Sequence, residues 1–185
     1  MAFERLLHEM QIFEPGLHGE SSLDWGSRHP GSRNSIRLSL EQNLSSLTED
    51  DIRQLHNLDD PPRLHDWSVS ISHTLGLGGW MALKRPSQIG WDVEIKSRIK
   101  KPIIERVVSE RELEEVTDFS YLWSAKESFF KALEDEQPLV ITQLSITGWK
   151  ALKDDLWQWQ GLGPRNGTGL VLESGDWVLA ACVVS

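Results

Sequence analysis

Two carboxylates in the middle of this 185-residue sequence have the spacing of a metal site. Asp92 and Glu94 are two positions apart in an apolar run, and alternate residues of a strand share one face. Two such carboxylates repel each other unless a cation lies between them, and Mg²⁺ uses oxygen ligands of this kind when a substrate phosphate completes its coordination. A solvated edge strand is the more common explanation of such a pair, so the pair alone does not establish a metal site.

A second stretch carries an acid and a base at helical spacing. Glu127 and Lys131 are four residues apart, so they share one helix face with Trp123. An isolated pair of this kind is an ordinary surface ion pair worth about 0.3–0.5 kcal/mol. If this face meets the strand of Asp92 and Glu94, however, Glu127 supplies a third carboxylate and Lys131 reaches the same phosphates. That arrangement is suited to phosphoryl transfer.

The elements that position these residues are predicted from hydrophobic spacing. Helices are expected after the capping residues Ser32, Thr48, Ser109 and Asp118, and the last of them runs to about Glu134. Residues 16–31 are predicted to form an irregular loop. Strands are predicted at residues 67–71, 79–83, 89–95, 144–147, 156–160, 169–172 and 177–184. In the first of these strands, Trp67, Val69 and Ile71 alternate with serines, which predicts a half-buried strand.

This order of elements predicts an α+β protein with two similar lobes. We place the N-terminal lobe at residues 1–88 and the C-terminal lobe, which holds the paired acids and the helix of Glu127, at residues 89–185. A chain of this length buries roughly 70% of its unfolded surface, which is enough for a stable core.

Composition excludes several classes of function. The single cysteine, Cys182, excludes a disulfide framework and multi-cysteine metal sites. A net charge of −9 disfavours nucleic acid and anionic lipid as partners. With neither a secretory signal nor a membrane span, the chain is expected in the cytoplasm. The basic run Lys96–Lys101 departs from the acidic average and suits a specific anionic partner, or is simply a solvated face.

Three ordered motifs resemble those of the 4′-phosphopantetheinyl transferase superfamily. The sequence GWDVE at residues 90–94 resembles Gly-x-Asp-x-Glu, and WSAKESFFK at residues 123–131 resembles Trp-Ser-x-Lys-Glu-Ser/Ala-x-x-Lys. Upstream, ISHT at residues 71–74 resembles the family's Ile-Ser-His-Ser element. Length and the two predicted lobes are similar to the surfactin-synthetase-activating (Sfp) type, a monomeric pseudo-dimer in which each lobe is a small antiparallel sheet packed with helices.

The resemblance implies a magnesium-dependent transfer reaction. Asp92, Glu94 and Glu127 are expected to bind Mg²⁺, or Mn²⁺ in its place, together with the diphosphate of coenzyme A. Glu127, directly or through a water molecule, is expected to help deprotonate the incoming serine, and Lys131 to stabilise charge on the phosphate. The product would be 4′-phosphopantetheine on a serine of an apo carrier protein, with release of adenosine 3′,5′-bisphosphate.

The resemblance also implies where coenzyme A and the carrier bind. An acidic carrier protein is expected to dock near Lys96–Lys101, and Ser72 and His73 to bind the phosphate end of the nucleotide. Residues 1–88 then contribute the nucleotide end and part of the coenzyme A site. The other expected coenzyme A contacts are Lys126, Arg33, Arg37 and Arg63.

This chain also departs from the family pattern. Trp91 replaces Ile or Val, Thr74 replaces Ser, the spacer between the two acidic motifs is short and the N-terminal lobe is trimmed. Two alternative functions remain open. One is a coenzyme A-binding module that regulates or assembles other proteins without transfer. The other is an unrelated magnesium-dependent phosphotransferase, for which the sequence shows no nucleotide-binding loop.

Overall fold

Helices and two antiparallel sheets make up the computed structural model, which describes residues 1–22, 30–116, 118–133 and 138–185. The predicted α+β class is therefore confirmed. The described helices are α1 (Ala2–Phe13), α2 (Pro30–Asn43), α3 (Glu49–His56), α4 (Lys101–Ile104), α5 (Glu110–Glu115) and α6 (Phe119–Ala132). The described strands are β1 (His18–Ser22), β2 (Trp67–Thr74), β3 (Leu77–Lys84), β4 (Gln88–Ile95), β5 (Ser145–Lys153), β6 (Leu156–Leu162), β7 (Gly167–Ser174) and β8 (Trp177–Val184).

The seven predicted strands and three of the predicted helix caps are confirmed. Thr48, Ser109 and Asp118 each accept a backbone hydrogen bond at the start of α3, α5 and α6. Helix α2 begins at Pro30, before the predicted cap Ser32, because proline suits the first turn of a helix. The predicted end of α6 at Glu134 lies outside the described residues.

The N-terminal segment is where the prediction is wrong. Residues 18–22 form β1, which pairs with β3, and α2 already covers residues 30 and 31, so the loop predicted for residues 16–31 is shorter. Residues 23–29 of that predicted loop lie outside the described residues. Helix α1 was not predicted, although Phe3, Leu6 and Met10 follow helical spacing and are fully buried.

The larger sheet, in the order β4-β8-β7-β6-β5, is covered on both faces. Helix α6 packs on one face through side chains such as Leu122 and Phe129. Helix α1 and strand β3 pack on the other face, where Phe3 meets the ring of Trp91 at 5.1 Å. Because both faces are covered, strand β8 is apolar along almost its whole length. Within the described residues, no helix is both long and apolar enough to cross a membrane.

The smaller sheet, in the order β1-β3-β2, joins the larger one through serine hydroxyls. Ser68, Ser70 and Ser72 of β2 accept hydrogen bonds from backbone N–H groups of β4, and we call these three residues the serine seam. The donors are Ile89 at 3.0 Å, Trp91 at 2.8 Å and Val93 at 3.3 Å, respectively. The serines are only 4–8% exposed, so the serine face of the half-buried strand β2 is its covered face. The seam places β2 beside the two acids of β4.

Candidate active site

A glycine brings the acidic strand and the helix into backbone contact. A Cβ atom built on Gly90 of β4 would lie 1.8 Å from the carbonyl oxygen of Ser128 on α6. Only a residue without a side chain permits this approach. The close packing sets Asp92 and Glu94 of β4 beside the helix face that carries Glu127.

One open cleft of about 280 Å³ collects the residues of both motifs. Its walls come from β2, β4 and α6, so it lies where the serine seam meets the helix. All four candidate residues line it: Asp92, Glu94, Glu127 and Lys131. Its remaining lining residues are Ile71, Ser72, His73 and Trp123.

Asp92 is held through one of its two carboxylate oxygens. Its Oδ1 atom accepts hydrogen bonds from Lys131 Nζ at 2.8 Å and from Ser72 Oγ at 3.0 Å. Its Oδ2 atom is buried and has no hydrogen-bond partner among the described residues. A buried carboxylate oxygen without a partner is costly, and a bound cation would satisfy it.

The acids of the cleft are close enough to affect one another. Burial raises the pKa of Glu127, and the negative charge of Asp92 raises it further. Burial likewise raises the pKa of Glu94, again with a contribution from Asp92. Lys131 opposes both shifts. Repulsion of this kind would be relieved by a cation.

The donor atoms of the cleft fit a divalent cation such as Mg²⁺. Three carboxylates, one of them with an unpartnered oxygen, are the hard ligands that this ion prefers. Among the described residues, however, no three His, Cys, Asp or Glu side chains form a ready-made metal cluster. The residues therefore match the ion in chemistry but form an open, incomplete set of ligands.

A second cleft of about 340 Å³ adjoins the acidic one. The two clefts share Ile71, His73 and Lys131 as lining residues. The pKa of His73 is lowered by burial and then by the positive charges of Arg33 and Lys131, so both cations act on this boundary. Cleft residues that the sequence did not single out are Leu58, Asp59, Asp60, Pro61, Pro62, Val69, Ser70 and Phe130.

The three predicted arginines occupy different environments. Arg33 is exposed and lines the second cleft. Arg63 is exposed beside a small neighbouring pocket. Arg37 lines the second cleft too, but its buried guanidinium donates to backbone carbonyls, including those of Gln54 at 2.9 Å and Asp60 at 2.5 Å. Arg37 thus fixes the loop after α3, and its hydrogen bonds differ from those expected for a phosphate ligand.

Lys126 is a correction to the sequence prediction. It lines neither cleft, and its side chain is 1% exposed. Its Nζ atom donates to the carbonyls of Val107 at 2.5 Å and Leu144 at 2.7 Å and lies 3.2 Å from Glu112 Oε1. Consecutive helix residues point about 100° apart, so Lys126 faces the core while Glu127 faces the cleft. Lys126 is a structural lysine, away from the expected phosphates.

The basic run is partly neutralised by neighbouring acids. Lys96 pairs with Glu173 at 2.8 Å and with Asp118 at 3.4 Å. Arg98 donates to Thr74 Oγ1 at 3.3 Å and lies near enough to Glu94 to lower its pKa. Lys96 therefore anchors the structure, whereas Arg98 lies at the rim of the acidic cleft.

A comparison with models of protein families assigns the chain to a superfamily. Residues 88–182, more than half of the sequence, match the model described as 4′-phosphopantetheinyl transferase superfamily. The chain belongs to this superfamily. The match indicates a phosphopantetheinyl transferase, and it includes Asp92, Glu94, Glu127 and Lys131. No curated protein matches the chain.

The superfamily match begins at the first residue of β4 and ends within β8. It therefore covers the acids and the lysine but leaves out β2 and α2. Ser72, His73 and Arg33 come from the part of the transferase outside the matched range. The acidic cleft is thus built across this boundary, with one wall from the matched segment and one from β2.

Proposed function

We propose that this protein is a holo-[acyl-carrier-protein] synthase type of 4′-phosphopantetheinyl transferase. It transfers the 4′-phosphopantetheine group of coenzyme A to a serine of an apo carrier protein and releases adenosine 3′,5′-bisphosphate. The observation that supports this most is the acidic cleft, where three carboxylates and Lys131 line one space. This cleft shares Ile71, His73 and Lys131 with the second cleft, which Arg33 and Arg37 line. Membership of the superfamily supports the same reaction class.

The three carboxylates, Asp92, Glu94 and Glu127, would hold Mg²⁺, with Mn²⁺ as a substitute. When bound, the ion supplies charge neutralisation for the diphosphate of coenzyme A. The unpartnered Oδ2 atom of Asp92 supports this assignment. So do the raised pKa values of Glu94 and Glu127, which reflect burial and mutual repulsion.

The proposed reaction moves one phosphoryl group. The carrier serine Oγ forms a bond to the β-phosphorus of coenzyme A, and the bond from that phosphorus to the bridging oxygen breaks. The electron pair leaves with adenosine 3′,5′-bisphosphate, and the serine proton passes to Glu127, directly or through a water molecule. Burial raises the pKa of Glu127, which makes its carboxylate a better proton acceptor. Lys131 stabilises negative charge on the phosphate oxygens.

The second cleft is assigned to the nucleotide end of coenzyme A. Arg33 and His73 line it, and Lys131 stands where it joins the acidic cleft. Burial lowers the pKa of His73, and the positive charges of Arg33 and Lys131 lower it further. The same two charges would attract phosphate groups. Pro61 and Pro62 give this cleft a rigid wall.

The proposal also covers the subtype of the transferase and the docking site of its carrier protein. We place the protein in the Sfp type, a monomeric cytoplasmic pseudo-dimer with lobes at residues 1–88 and 89–185. Two separate sheets, with α2 packed on the smaller and α6 on the larger, support this division, although α1 of the first lobe also packs on the larger sheet. An acidic carrier protein docks near Lys96–Lys101, and the closeness of Arg98 to Glu94 supports this location.

Incubation with coenzyme A, Mg²⁺ and a panel of apo carrier proteins, followed by intact-mass measurement, tests the proposal. Carriers should gain the mass of phosphopantetheine, and a chelator should prevent the gain. Absence of any gain while coenzyme A still binds would contradict transfer and favour a coenzyme A-binding module. Absence of both the mass gain and coenzyme A binding would contradict the proposed function.

A further inference from the structure

Ser72 differs from the other two residues of the serine seam. Like them, it is buried on β2 and accepts a hydrogen bond from β4, here from Val93 N–H at 3.3 Å. Its Oγ atom additionally donates to Asp92 Oδ1 at 3.0 Å and accepts from Lys131 Nζ at 3.1 Å. Ser72 is thus the member of the seam that touches both an acid and the lysine of the cleft.

The hydroxyl of Ser72 has no further hydrogen to donate. A serine hydroxyl offers one O–H donor and two acceptor lone pairs. The donor is used on Asp92, and the lone pairs face Lys131 and Val93. A phosphate oxygen needs a donor, so binding a phosphate through Ser72 would break its hydrogen bond to Asp92. Ser72 therefore differs from His73, which lines both clefts.

We infer that Ser72 is a positioning residue for transfer, an inference that rests on the proposed function. Its hydroxyl holds Asp92 Oδ1, which leaves Oδ2 as the oxygen without a partner. The same hydroxyl and Asp92 hold Lys131 Nζ at the junction of the two clefts. Fixing both groups before substrate arrives removes rotamer entropy that the reaction would otherwise have to overcome.

Ser72 also links this geometry to the packing of the two sheets. Its bond to Val93 is the last contact of the seam before the cleft, and Trp91 O accepts from Lys131 Nζ at 3.3 Å. The spacing between β2 and β4 therefore determines the position of Lys131. Ser72, which lies outside the range of the family match, thus helps to position Asp92 and Lys131, which lie within that range.

The matched variants Ser72→Ala and Ser68→Ala test this inference. Each loses one buried hydroxyl that accepts from β4, so each should lower Tm by about 2–4 °C. Ser72→Ala should also reduce kcat about 10–100-fold while the Kd of coenzyme A, measured by calorimetry, stays unchanged. Ser68→Ala should keep the wild-type kcat. Ser72→Thr retains a hydroxyl and should therefore keep most of the kcat that Ser72→Ala loses.

Chemical labelling of lysines provides a readout that does not depend on transfer. Lys131 should become several-fold more reactive in Ser72→Ala than in Ser68→Ala, as quantified for its peptide by mass spectrometry. A loss of coenzyme A affinity matching the loss of kcat would instead make Ser72 a phosphate ligand and overturn the inference. Equal kcat and equal labelling in the two variants would also overturn it. If the wild type transfers nothing, the proposed function fails, and labelling alone decides whether Ser72 holds Lys131.

Discussion

Asp92 and Glu127 lie in different environments although both are acids of the same cleft. Asp92 is anchored through Oδ1 by Ser72 and Lys131. Glu127 has a raised pKa because it is buried and faces the charge of Asp92. A fixed ligand and a proton acceptor need these two environments, respectively.

We predict that Glu127→Gln abolishes measurable transfer and leaves the fold intact. Losing a general base costs about 10²–10⁴-fold in rate, and kcat by intact-mass assay measures this. Tm should stay the same or rise, because the change removes repulsion with Asp92 and Glu94. Glu114→Gln, at an exposed position of α5, is the matched control and should keep wild-type kcat. Unfolding of Glu127→Gln would mean that this helix face is structural.

The elements around the site depend on a few buried polar groups. Asp51 caps α3 and accepts from the backbone N–H groups of Thr48 at 2.9 Å and His65 at 2.7 Å. Burial alone would raise the pKa of Asp51, but these bonds and the Thr48 hydroxyl lower it overall. The cap therefore stabilises the protein through the charged form of Asp51.

Asp51→Asn should consequently destabilise the protein by about 0.5–2 kcal/mol at neutral pH. A lowered folded pKa gives stability that is present above the unfolded value, about 3.9, and is lost as pH falls through the folded value. The difference in Tm between wild type and variant should therefore shrink in that acid range. Asp50→Asn, exposed on the same helix, is the control and should change Tm less at neutral pH. A difference that is constant with pH would contradict a role for the charge.

Gly90→Ala should separate α6 from β4. The added methyl group would overlap Ser128 O at 1.8 Å and approach Ala132 N at 2.5 Å, and both are backbone atoms that cannot move independently. Overpacking of this kind costs typically 1–3 kcal/mol, and transfer should be lost with it. Urea unfolding and kcat measure the two effects. Gly16→Ala, whose added atom meets Leu83 at an ordinary 3.7 Å, should be near neutral.

The Lys126–Glu112 pair connects α6 to α5. Lys126→Met should cost about 3–5 kcal/mol, because it leaves the buried Glu112 carboxylate without its cation. Adding Glu112→Gln, which removes the charge and keeps one of the two acceptor oxygens that serve the N–H groups of Ser109 and Ile146, should recover much of that loss, and urea unfolding of both variants measures it. Lys100→Met, at an exposed position, is the control. A double variant as unstable as Lys126→Met alone would contradict this account.

At the scale of the whole molecule, charge is distributed unevenly. The chain carries −9 overall, whereas the basic run borders the acidic cleft through Arg98. Lys100→Glu should therefore lower kcat/KM for an acidic carrier about tenfold and leave KM for coenzyme A unchanged, since complementary charge acts mainly on association. Lys150→Glu, on β5, should change neither parameter. Equal effects of the two reversals would place the carrier elsewhere.

Most elements that depend on local pattern were predicted, with the exception of α1, and what depends on packing was missed. Strand β8 and the capped helix α6 follow from periodicity and capping residues. Lys126 was misplaced because a motif gives spacing along the chain, whereas burial decides which face of α6 meets the core. The role of Ser72 depends on β2 lying beside β4, a long-range contact that no local pattern reveals.

The serine seam also occupies backbone groups at one edge of the larger sheet. The backbone N–H groups of an unpaired strand edge can recruit a second chain, and the seam hydroxyls occupy three such groups on β4. At the opposite edge, β5 has irregular register and carries Lys150 and Lys153, two features that discourage edge-to-edge pairing. Short polar side chains thus occupy one edge of the larger sheet, and an irregular strand with two lysines forms the other, so neither edge is a regular template for a further strand.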